Sequence, residues 1–121
     1  MLTINGNDIT ITRGDSTPAP GLIVPILNAD GTPYALQEND SVAIQVRKHH
    51  VTGNGTEPAV IFDGTVTVNS DSQPVWYISA TDTNILAGDY CWDAQISFAN
   101  GDICTYAGGR LTILPEVTIE E

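Results

Sequence analysis

Residues 82–114, DTNILAGDYCWDAQISFANGDICTYAGGRLTIL, decide the fold class of this chain of 121 residues. The stretch opens with a predicted helical turn at 82–87. Apolar side chains then occupy every second position: Tyr90, Trp92, Ala94, Ile96 and Phe98. Side chains of a strand alternate between its two faces, so this spacing places one face in a core and the other in water. The pattern predicts a three-stranded antiparallel meander.

The dipeptide Asn100-Gly101 predicts the hairpin inside this meander. Asn and Gly tolerate positive φ at both central positions of a two-residue type I′ turn. With that turn, Phe98 faces Ile103 and Ile96 faces Thr105 across the two strands. Strand pattern, register and turn therefore agree with one another.

The segment before the meander predicts how its first strand is anchored. Thr81 can cap the N-terminus of the turn 82–87, and Gly88 ends that turn. Tyr90 stands near the start of a late strand, which is the position of a tyrosine corner in immunoglobulin-like domains. We therefore expect the phenol of Tyr90 to anchor the preceding loop.

Short apolar segments separated by turn residues continue along the rest of the chain. Eleven glycines and seven prolines are present, many of them in turn dipeptides. The other predicted strands are 2–5, 8–13, 22–27, 41–48, 59–62, 65–68 and 75–79, with 59–62 and 65–68 forming a hairpin. Short strands at regular spacing are typical of a sandwich or barrel. We expect an all-β fold, an immunoglobulin-like antiparallel β-sandwich with Greek-key connections and one short crossover helical turn; a jelly roll or small barrel is the alternative.

The length of the chain predicts one domain. A chain of this size buries roughly two-thirds of its unfolded surface without metals or disulfides. No linker or internal repeat divides the sequence, and Pro115 ends the last predicted strand. We expect a single β-sandwich domain at 1–115 and a C-terminal tail at 116–121.

The charge balance excludes two classes of partner. Fifteen acidic residues stand against four Lys and Arg, which gives a formal net charge of −11. Nucleic acids and anionic membrane surfaces require clustered cations, so neither is an expected partner. The acidic residues are scattered singly, which is typical of a solubilising surface.

The sequence shows no targeting signal and has two cysteines that are predicted to be unpaired, and both features indicate synthesis in a reducing compartment. No apolar run approaches the ~18 residues needed to span a bilayer, and the first residues lack the features of a secretion signal. Cys91 and Cys104 are the only cysteines, and the predicted register places Cys104 opposite Ser97, away from Cys91. We therefore expect two free thiols, as in cytoplasmic proteins.

Several short blocks resemble a known family. They are ITRGD at 11–15, the block 82–93, the return strand 101–105 and the last strand 109–113, with Glu-Val-Thr trailing at 116–118. Together they resemble the small β-sandwich domain of phage baseplate upper proteins and related immunoglobulin-like phage tail proteins. The resemblance implies a virion protein that is made in the cytoplasm of a bacterial host.

Two motifs invite a functional interpretation that the residue pattern does not favour. Arg13-Gly14-Asp15 spells the tripeptide that integrins bind, but it lies where a strand meets the proline-rich segment 14–20, and turn chemistry explains it. His49 and His50 are adjacent, so on a strand they point to opposite faces and do not chelate one ion. We expect structural or solvated roles for both.

The remaining polar residues predict no catalytic, cofactor-binding or metal-binding residue, and no cofactor. The loops 28–31 and 69–72 carry oxygen ligands, but neither has the complete pattern of a calcium loop. Nucleophile elbows and glycine-rich phosphate loops are absent from the sequence, and paired carboxylates cannot be placed in a cleft from sequence. We expect a protein that is not an enzyme.

The aromatic residues are compatible with a binding interface as well as with packing inside one molecule. Trp92 is expected in the core, and one of Trp76 and Tyr77 must face outward on a strand. Tyr106 shares the predicted outward parity of Cys104. An exposed aromatic is compatible with a sugar site, a subunit interface or edge packing within one molecule.

The function that these features predict is structural. We expect a non-enzymatic component of a tailed phage or prophage particle, in the baseplate or tail, that mediates assembly or attachment of receptor-binding parts. Its expected partners are other virion tail or baseplate proteins and further copies of itself, through 14–20, 49–58 and 115–121. The alternatives are a carbohydrate- or protein-binding adhesion module of a bacterial surface, or an enzyme accessory domain.

Overall fold

The computed structural model describes residues 2–49 and 58–116. It is an all-β sandwich of two sheets with one helical turn, as the alternating sequence predicts. The elements are β1 (Leu2–Asn5), β2 (Asp8–Thr12), β3 (Leu22–Ile23), β4 (Ser41–Arg47), β5 (Val60–Asp63), β6 (Thr65–Val68), β7 (Pro74–Tyr77), α1 (Ala80–Thr83), β8 (Gly88–Ser97) and β9 (Ile103–Leu114).

The two sheets differ in width. The large sheet has six strands in the order β1-β2-β9-β8-β4-β5, and the small sheet has three in the order β3-β7-β6. The large sheet is mixed, because β2 runs parallel to β9, with Ile9 opposite Leu111 and Ile11 opposite Ile113. The expected antiparallel β-sandwich therefore contains, among the described residues, one parallel pair of strands.

The core lies between the sheets and centres on two tryptophans. The rings of Trp76 and Trp92 lie 5.2 Å apart, and their side chains are 0% and 4% exposed. The predicted inward positions of Trp92 and Tyr90 are confirmed. The Tyr90 hydroxyl donates a hydrogen bond of 2.6 Å to the Leu86 carbonyl, so the predicted tyrosine corner is also confirmed.

The hairpin between β8 and β9 has a three-residue turn. Phe98 and Asp102 close it, with the Phe98 amide donating to the Asp102 carbonyl and the Gly101 amide donating to the Phe98 carbonyl. Gly101 has a φ of +96°, as expected for the left-handed residue that follows a type I turn in such loops. The predicted two-residue type I′ turn was wrong. Asn100 favours the longer loop because its side-chain oxygen accepts a bond from the Asp102 amide.

The longer turn moves the predicted register by one residue. Ile96 pairs with Cys104 rather than Thr105, and a bulge follows between Ala94 and Gln95. Tyr106 is the extra, unpaired residue of this bulge, and it is half-buried and packs against the core. The predicted outward orientation of Tyr106 was wrong for this reason.

The segments 59–62 and 65–68 do not form a hairpin, contrary to the sequence-based expectation. Strands β5 and β6 belong to different sheets, and Gly64 connects them at the corner. A Cβ atom at Gly64 would lie 2.9 Å from the Ile44 Cβ and 2.9 Å from the Trp76 Nε1. Only glycine fits there, so Asp63-Gly64 marks a change of sheet rather than a turn.

The helical turn begins two residues and ends four residues earlier than the predicted 82–87. Ser79 rather than Thr81 is its N-cap, since the Ser79 hydroxyl accepts from the Asp82 amide and the Asp82 carboxylate accepts from the Ser79 amide. This reciprocal capping box outweighs the lone Thr81. Across 2–49 and 58–116, no helix has the length and apolar character needed to cross a membrane.

Candidate interaction groove

The sandwich has one closed side and one open side. On the closed side, Gly64 links β5 directly to β6 across the sheets. On the open side, the large sheet ends at β1 and the small sheet ends at β3, and these two edge strands do not pair with each other. The cavity between them, here called the edge groove, is lined by Ile4, Gly6, Asn7, Ile9, Leu22, Ile23, Val24, Pro25, Leu27, Trp92, Tyr106 and Ala107.

The edge groove exists because the small sheet is three strands narrower than the large one. Ile4 pairs with Ile9, so both side chains lie on the inner face of the large sheet. Ile9 is 4% exposed, whereas Ile4 is 49% exposed because the small sheet does not reach over β1. Ile23 and Leu27, on the opposite wall, are 54% and 59% exposed. The inner face of β1 at Ile4 is thus left open to solvent, whereas Ile23 pairs with Val75 and lies at the rim of the groove, on the face of β3 opposite Leu22.

Hydrogen bonds to the backbone fix the floor of the edge groove. The Trp92 indole N–H donates to the Asn7 carbonyl at 3.0 Å, and the Tyr106 hydroxyl donates to the Val24 carbonyl at 3.2 Å. Burial raises the pKa of Tyr106 to about 12, so its hydroxyl stays protonated and keeps donating in alkaline solution beyond the ordinary tyrosine value. These bonds tie the β1–β2 turn and the β3 segment to the large sheet.

A close backbone contact adds to this attachment. A Cβ atom at Gly109 would lie 2.3 Å from the Asn7 carbonyl oxygen, closer than any side chain permits. The turn at Asn7 therefore rests directly on the β9 backbone. The two walls of the edge groove are held by the large sheet independently of any ligand.

The edge groove contains no charged side chain, although the chain has a net charge of −11. The nearest acid on the β1–β2 hairpin is Asp8, which adjoins Ile9 in sequence and therefore faces the opposite side of the sheet. There its carboxylate accepts a bond of 3.1 Å from the Arg110 amide. Charged side chains and proline usually protect an edge strand from pairing with another strand. Strand β1 has neither.

The backbone of β1 offers hydrogen-bonding groups along this edge. Gly6 has a φ of +63°, as the first central residue of a two-residue type II′ turn requires. In such a hairpin, the closing pair Asn5–Asp8 and the next alternate pair Thr3–Thr10 bond across to β2. The N–H and C=O groups of the intervening residues, Leu2 and Ile4, consequently point away from β2.

The Arg13-Gly14-Asp15 tripeptide lies within a network of contacts. The Arg13 Nε donates to the Ile85 carbonyl at 2.9 Å, and its guanidinium pairs with the carboxylate of Glu116. The Gly14 amide donates to the Thr83 hydroxyl at 3.0 Å. The tripeptide therefore holds the loop before β8 to the end of β2, and Gly14 has a φ of +85°, the positive φ that the expected turn requires.

The candidate calcium loops form local turns. The Asp30 carboxylate accepts from the amide and hydroxyl of Thr32, and the side-chain bond from Thr32 holds its pKa below the ordinary value. The Asn69 side-chain oxygen accepts from the amides of Asp71 and Gln73. These carboxylate and amide oxygens serve the turns themselves.

The other candidate residues do not converge. His49 is exposed, and His50 lies outside the described residues. Cys91 and Cys104 both carry free thiols. Within the described part of the chain, no three His, Cys, Asp or Glu side chains are grouped so as to hold a metal ion.

Of the three predicted contact segments, only 14–20 is described in full. Its Thr17 is buried and exchanges hydrogen bonds with Ile78, which makes this segment part of the fold. Most of 49–58 and of 115–121 lies outside the described residues. The edge groove was not predicted, because Ile4 and Ile23 have the pattern of ordinary strand residues. No signal in residues 2–5 indicated it, since the groove depends on how far the small sheet extends over the large one.

Comparisons with known proteins give little further support for any function. No protein-family model matches the chain, and no curated protein matches it. A solved structure of CopC from Methylosinus trichosporium OB3b is similar at 12% sequence identity and a TM-score of 0.42, over 98% of this chain and 97% of that chain. A likeness at this level carries no functional conclusion.

These comparisons correct the sequence-based assignment of function. The solved structure that is similar to the chain is a CopC and not a phage tail protein, and neither the family models nor the curated proteins give a match to a component of a phage particle. The function expected from the sequence, a structural component of a tailed phage or prophage, is therefore withdrawn. The adhesion-module alternative gains no support either. The resemblance of the blocks 11–15 and 82–93 to phage tail domains stays a prediction.

Proposed function

We propose that this chain is a non-catalytic protein-interaction domain that binds an extended, uncharged polypeptide strand in the edge groove. The observation that carries the proposal is the position of an apolar, charge-free groove between two free strand edges, β1 and β3. A strand bound beside β1 would continue the large sheet across the open side. Many protein domains bind extended segments in this way.

The backbone of β1 supplies the affinity in this mode of binding. Leu2 and Ile4 direct their N–H and C=O groups outward, where an incoming strand can pair with them. Each such bond contributes about 0.5–1.5 kcal/mol net, and apolar burial adds about 25 cal/mol per Å². Covering the apolar lining, with Ile4 at its edge, adds to the affinity from these backbone bonds.

The lining of the groove defines the chemistry of the strand. Every second side chain of a bound strand points into the groove, so we expect apolar residues at alternate positions. A basic or acidic side chain there would lose its hydration without a counter-charge, because the lining is uncharged. The bound strand is therefore apolar on one face and uncharged.

The polar side-chain atoms of the groove stabilise the fold and are not placed to catalyse a reaction. The Trp92 indole and the Tyr106 hydroxyl already donate to backbone carbonyls. Neither has a base or carboxylate among the lining residues that could activate it. The proposal accordingly assigns the groove no catalytic step.

A displayed library of random decapeptides tests the proposal. We expect selection on the immobilised domain to enrich uncharged sequences with apolar residues at alternate positions. In 15N–1H spectra, a synthetic selected peptide should shift the amides of Leu2 and Ile4. Enrichment of charged peptides, or shifts confined to the opposite face of β8 and β9, would overturn the proposal.

Two matched variants sharpen this test. Ile4→Lys places a charge in the groove at a half-exposed position, so the fold should persist while peptide binding falls more than about tenfold. Leu86→Lys makes the same change at a side chain that is 83% exposed and outside the groove lining. Equal loss of binding in both variants would show that the groove is not the site.

A further inference from the structure

We infer that the strand which binds this edge is β1 of a second copy of the chain. The inference rests on the proposed function and names the partner for the same site. It follows from three properties of β1: its sequence, its register across a two-fold axis, and its lack of charge.

The sequence of β1 has the chemistry that the groove requires. Strand β1 reads Leu2-Thr3-Ile4-Asn5, with apolar and polar residues alternating and no charged residue. Leu2 and Ile4 pair with Ile11 and Ile9, so both lie on the inner face of the large sheet. The strand is at once an open edge and a suitable occupant for such an edge.

An antiparallel pair of β1 strands satisfies the outward backbone groups of both copies. A two-fold axis through Thr3 places Leu2 of one copy opposite Ile4 of the other, and the reverse. Each of these pairs exchanges two bonds, which gives about four inter-chain backbone hydrogen bonds. The contact is isologous, as closed dimers require. The inner faces of the two large sheets then form one continuous surface that includes both Ile4 side chains.

The charge distribution favours this edge over the rest of the surface for self-association. Each copy has a net charge of −11, so two copies repel wherever carboxylates meet. Strand β1 and the edge groove have no charged side chain. Asp8 lies on the opposite face of the sheet, where the Arg110 amide binds it. A contact through β1 therefore keeps the carboxylates apart.

Disulfide trapping tests the register of this pair. In a background with Cys91→Ser and Cys104→Ser, the variant Thr3→Cys should crosslink two copies under mild oxidation. The two-fold axis places the two Cα atoms at position 3 about 4.5 Å apart, within the range for a disulfide. The control Thr10→Cys lies one strand further in on each copy. Its two Cα atoms would be about 14 Å apart, and it should not crosslink.

Sedimentation of the unmodified chain, with no tag on its N-terminus, provides the second measurement. We expect a dimer that Ile4→Lys weakens more than about tenfold and that Leu86→Lys leaves unchanged. Circular dichroism and dispersed amide spectra check that both variants are folded. A chain that stays monomeric up to about 1 mM, or equal crosslinking of Thr3→Cys and Thr10→Cys, would overturn the inference.

Peptide binding and self-association can be refuted separately. A monomeric chain whose selected peptides still require Ile4 refutes the second copy as partner and leaves the peptide-binding proposal standing. A chain that neither dimerises nor selects groove-binding peptides refutes both.

Discussion

The Tyr34 hydroxyl donates a hydrogen bond of 2.6 Å to one carboxylate oxygen of Asp40. The other oxygen accepts from the Ala99 amide at 3.1 Å, and the rings of Tyr34 and Phe98 meet edge to face at 5.8 Å. Asp40 thus joins the loop before β4 to the β8–β9 hairpin. These hydrogen bonds stabilise the carboxylate and lower the pKa of Asp40. The bond from Tyr34 has the largest effect, followed by those from the Gln37 and Ala99 amides.

This lowered pKa predicts how the hairpin responds to acid. A carboxylate whose pKa is lower in the folded chain contributes stability above its unfolded pKa, and the contribution is lost as pH falls through the folded pKa. We expect the Phe98 and Ala99 amide signals to shift as pH drops below the unfolded Asp value of about 3.9. In Asp40→Asn these acid-dependent shifts should disappear. Their persistence in that variant would assign them to another carboxylate.

The same bond raises the pKa of Tyr34, and the consequence has the opposite sign. A tyrosine with a raised pKa contributes stability below its unfolded value of about 10, and the contribution is lost as pH rises through the folded pKa. Absorbance titration of the phenols should show Tyr34 ionising later than a free tyrosine. Asp40→Asn should move this titration back toward the ordinary value.

The tyrosine corner gives a prediction for stability. Tyr90→Phe removes the bond to the Leu86 carbonyl while keeping the ring in the core. We expect a loss of about 1 kcal/mol in the free energy of unfolding, measured by urea denaturation with an unchanged m-value. A variant as stable as the parent would show that the hydrogen bond to the Leu86 carbonyl adds nothing to the free energy of unfolding.

The two core tryptophans are expected to differ in their tolerance of substitution by phenylalanine. The Trp76 indole N–H is buried without a hydrogen-bond partner among the described residues, whereas that of Trp92 donates to Asn7. Trp76→Phe removes an unpaired donor, but Trp92→Phe leaves the Asn7 carbonyl without its bond. We expect Trp92→Phe to cost about 1–3 kcal/mol more than Trp76→Phe in thermal or urea unfolding. The reverse order would contradict this view of the core.

Glycine at position 109 is expected to be required for the edge groove. Gly109→Ala forces the added Cβ against the Asn7 carbonyl, so the β1–β2 turn must move away from β9. We expect a destabilisation of about 1–3 kcal/mol or more, together with weaker peptide binding. The matched variant Gly108→Ala places its Cβ at 3.1 Å from the Trp92 carbonyl oxygen, a tight but smaller conflict. It should be less harmful in both measurements.

Salt is expected to strengthen self-association. Two copies that each carry a charge of −11 repel, and raising NaCl from about 0.05 to 0.5 M screens that repulsion. A contact through uncharged β1 strands loses nothing by screening, so the dissociation constant measured by sedimentation should fall. A dissociation constant that rises with salt would indicate ion pairs at the contact and would argue against β1.

Much of the fold followed from alternation in the sequence, and the differences have local causes. The β8 pattern correctly placed Tyr90 and Trp92 in the core. The predicted type of hairpin turn was wrong because Asn-Gly suits both a two-residue loop and the left-handed end of a three-residue loop. The Asn100 side chain, rather than the dipeptide, decides between them. That one-residue difference then carried Tyr106 to the other face.

The edge groove could not be predicted from the sequence because it arises from the unequal width of the two sheets. Nothing in residues 2–5 shows that the small sheet stops short of them. Gly64 reads as a turn, yet it places β6 in the other sheet. Such assignments depend on which strands become neighbours, and that is settled by packing of the whole chain.

The parallel pairing of β2 with β9 has a consequence for the order in which the molecule matures. The β1–β2 hairpin is local and can form early, but its neighbour in the sheet is made of residues 111–114. During synthesis, a chain that lacks these residues has no β9 on which to seat the hairpin, and contacts between distant segments form late in folding. We therefore expect the open edge of β1 to take its final place in the large sheet only after residues 111–114 have been made and have paired with β2.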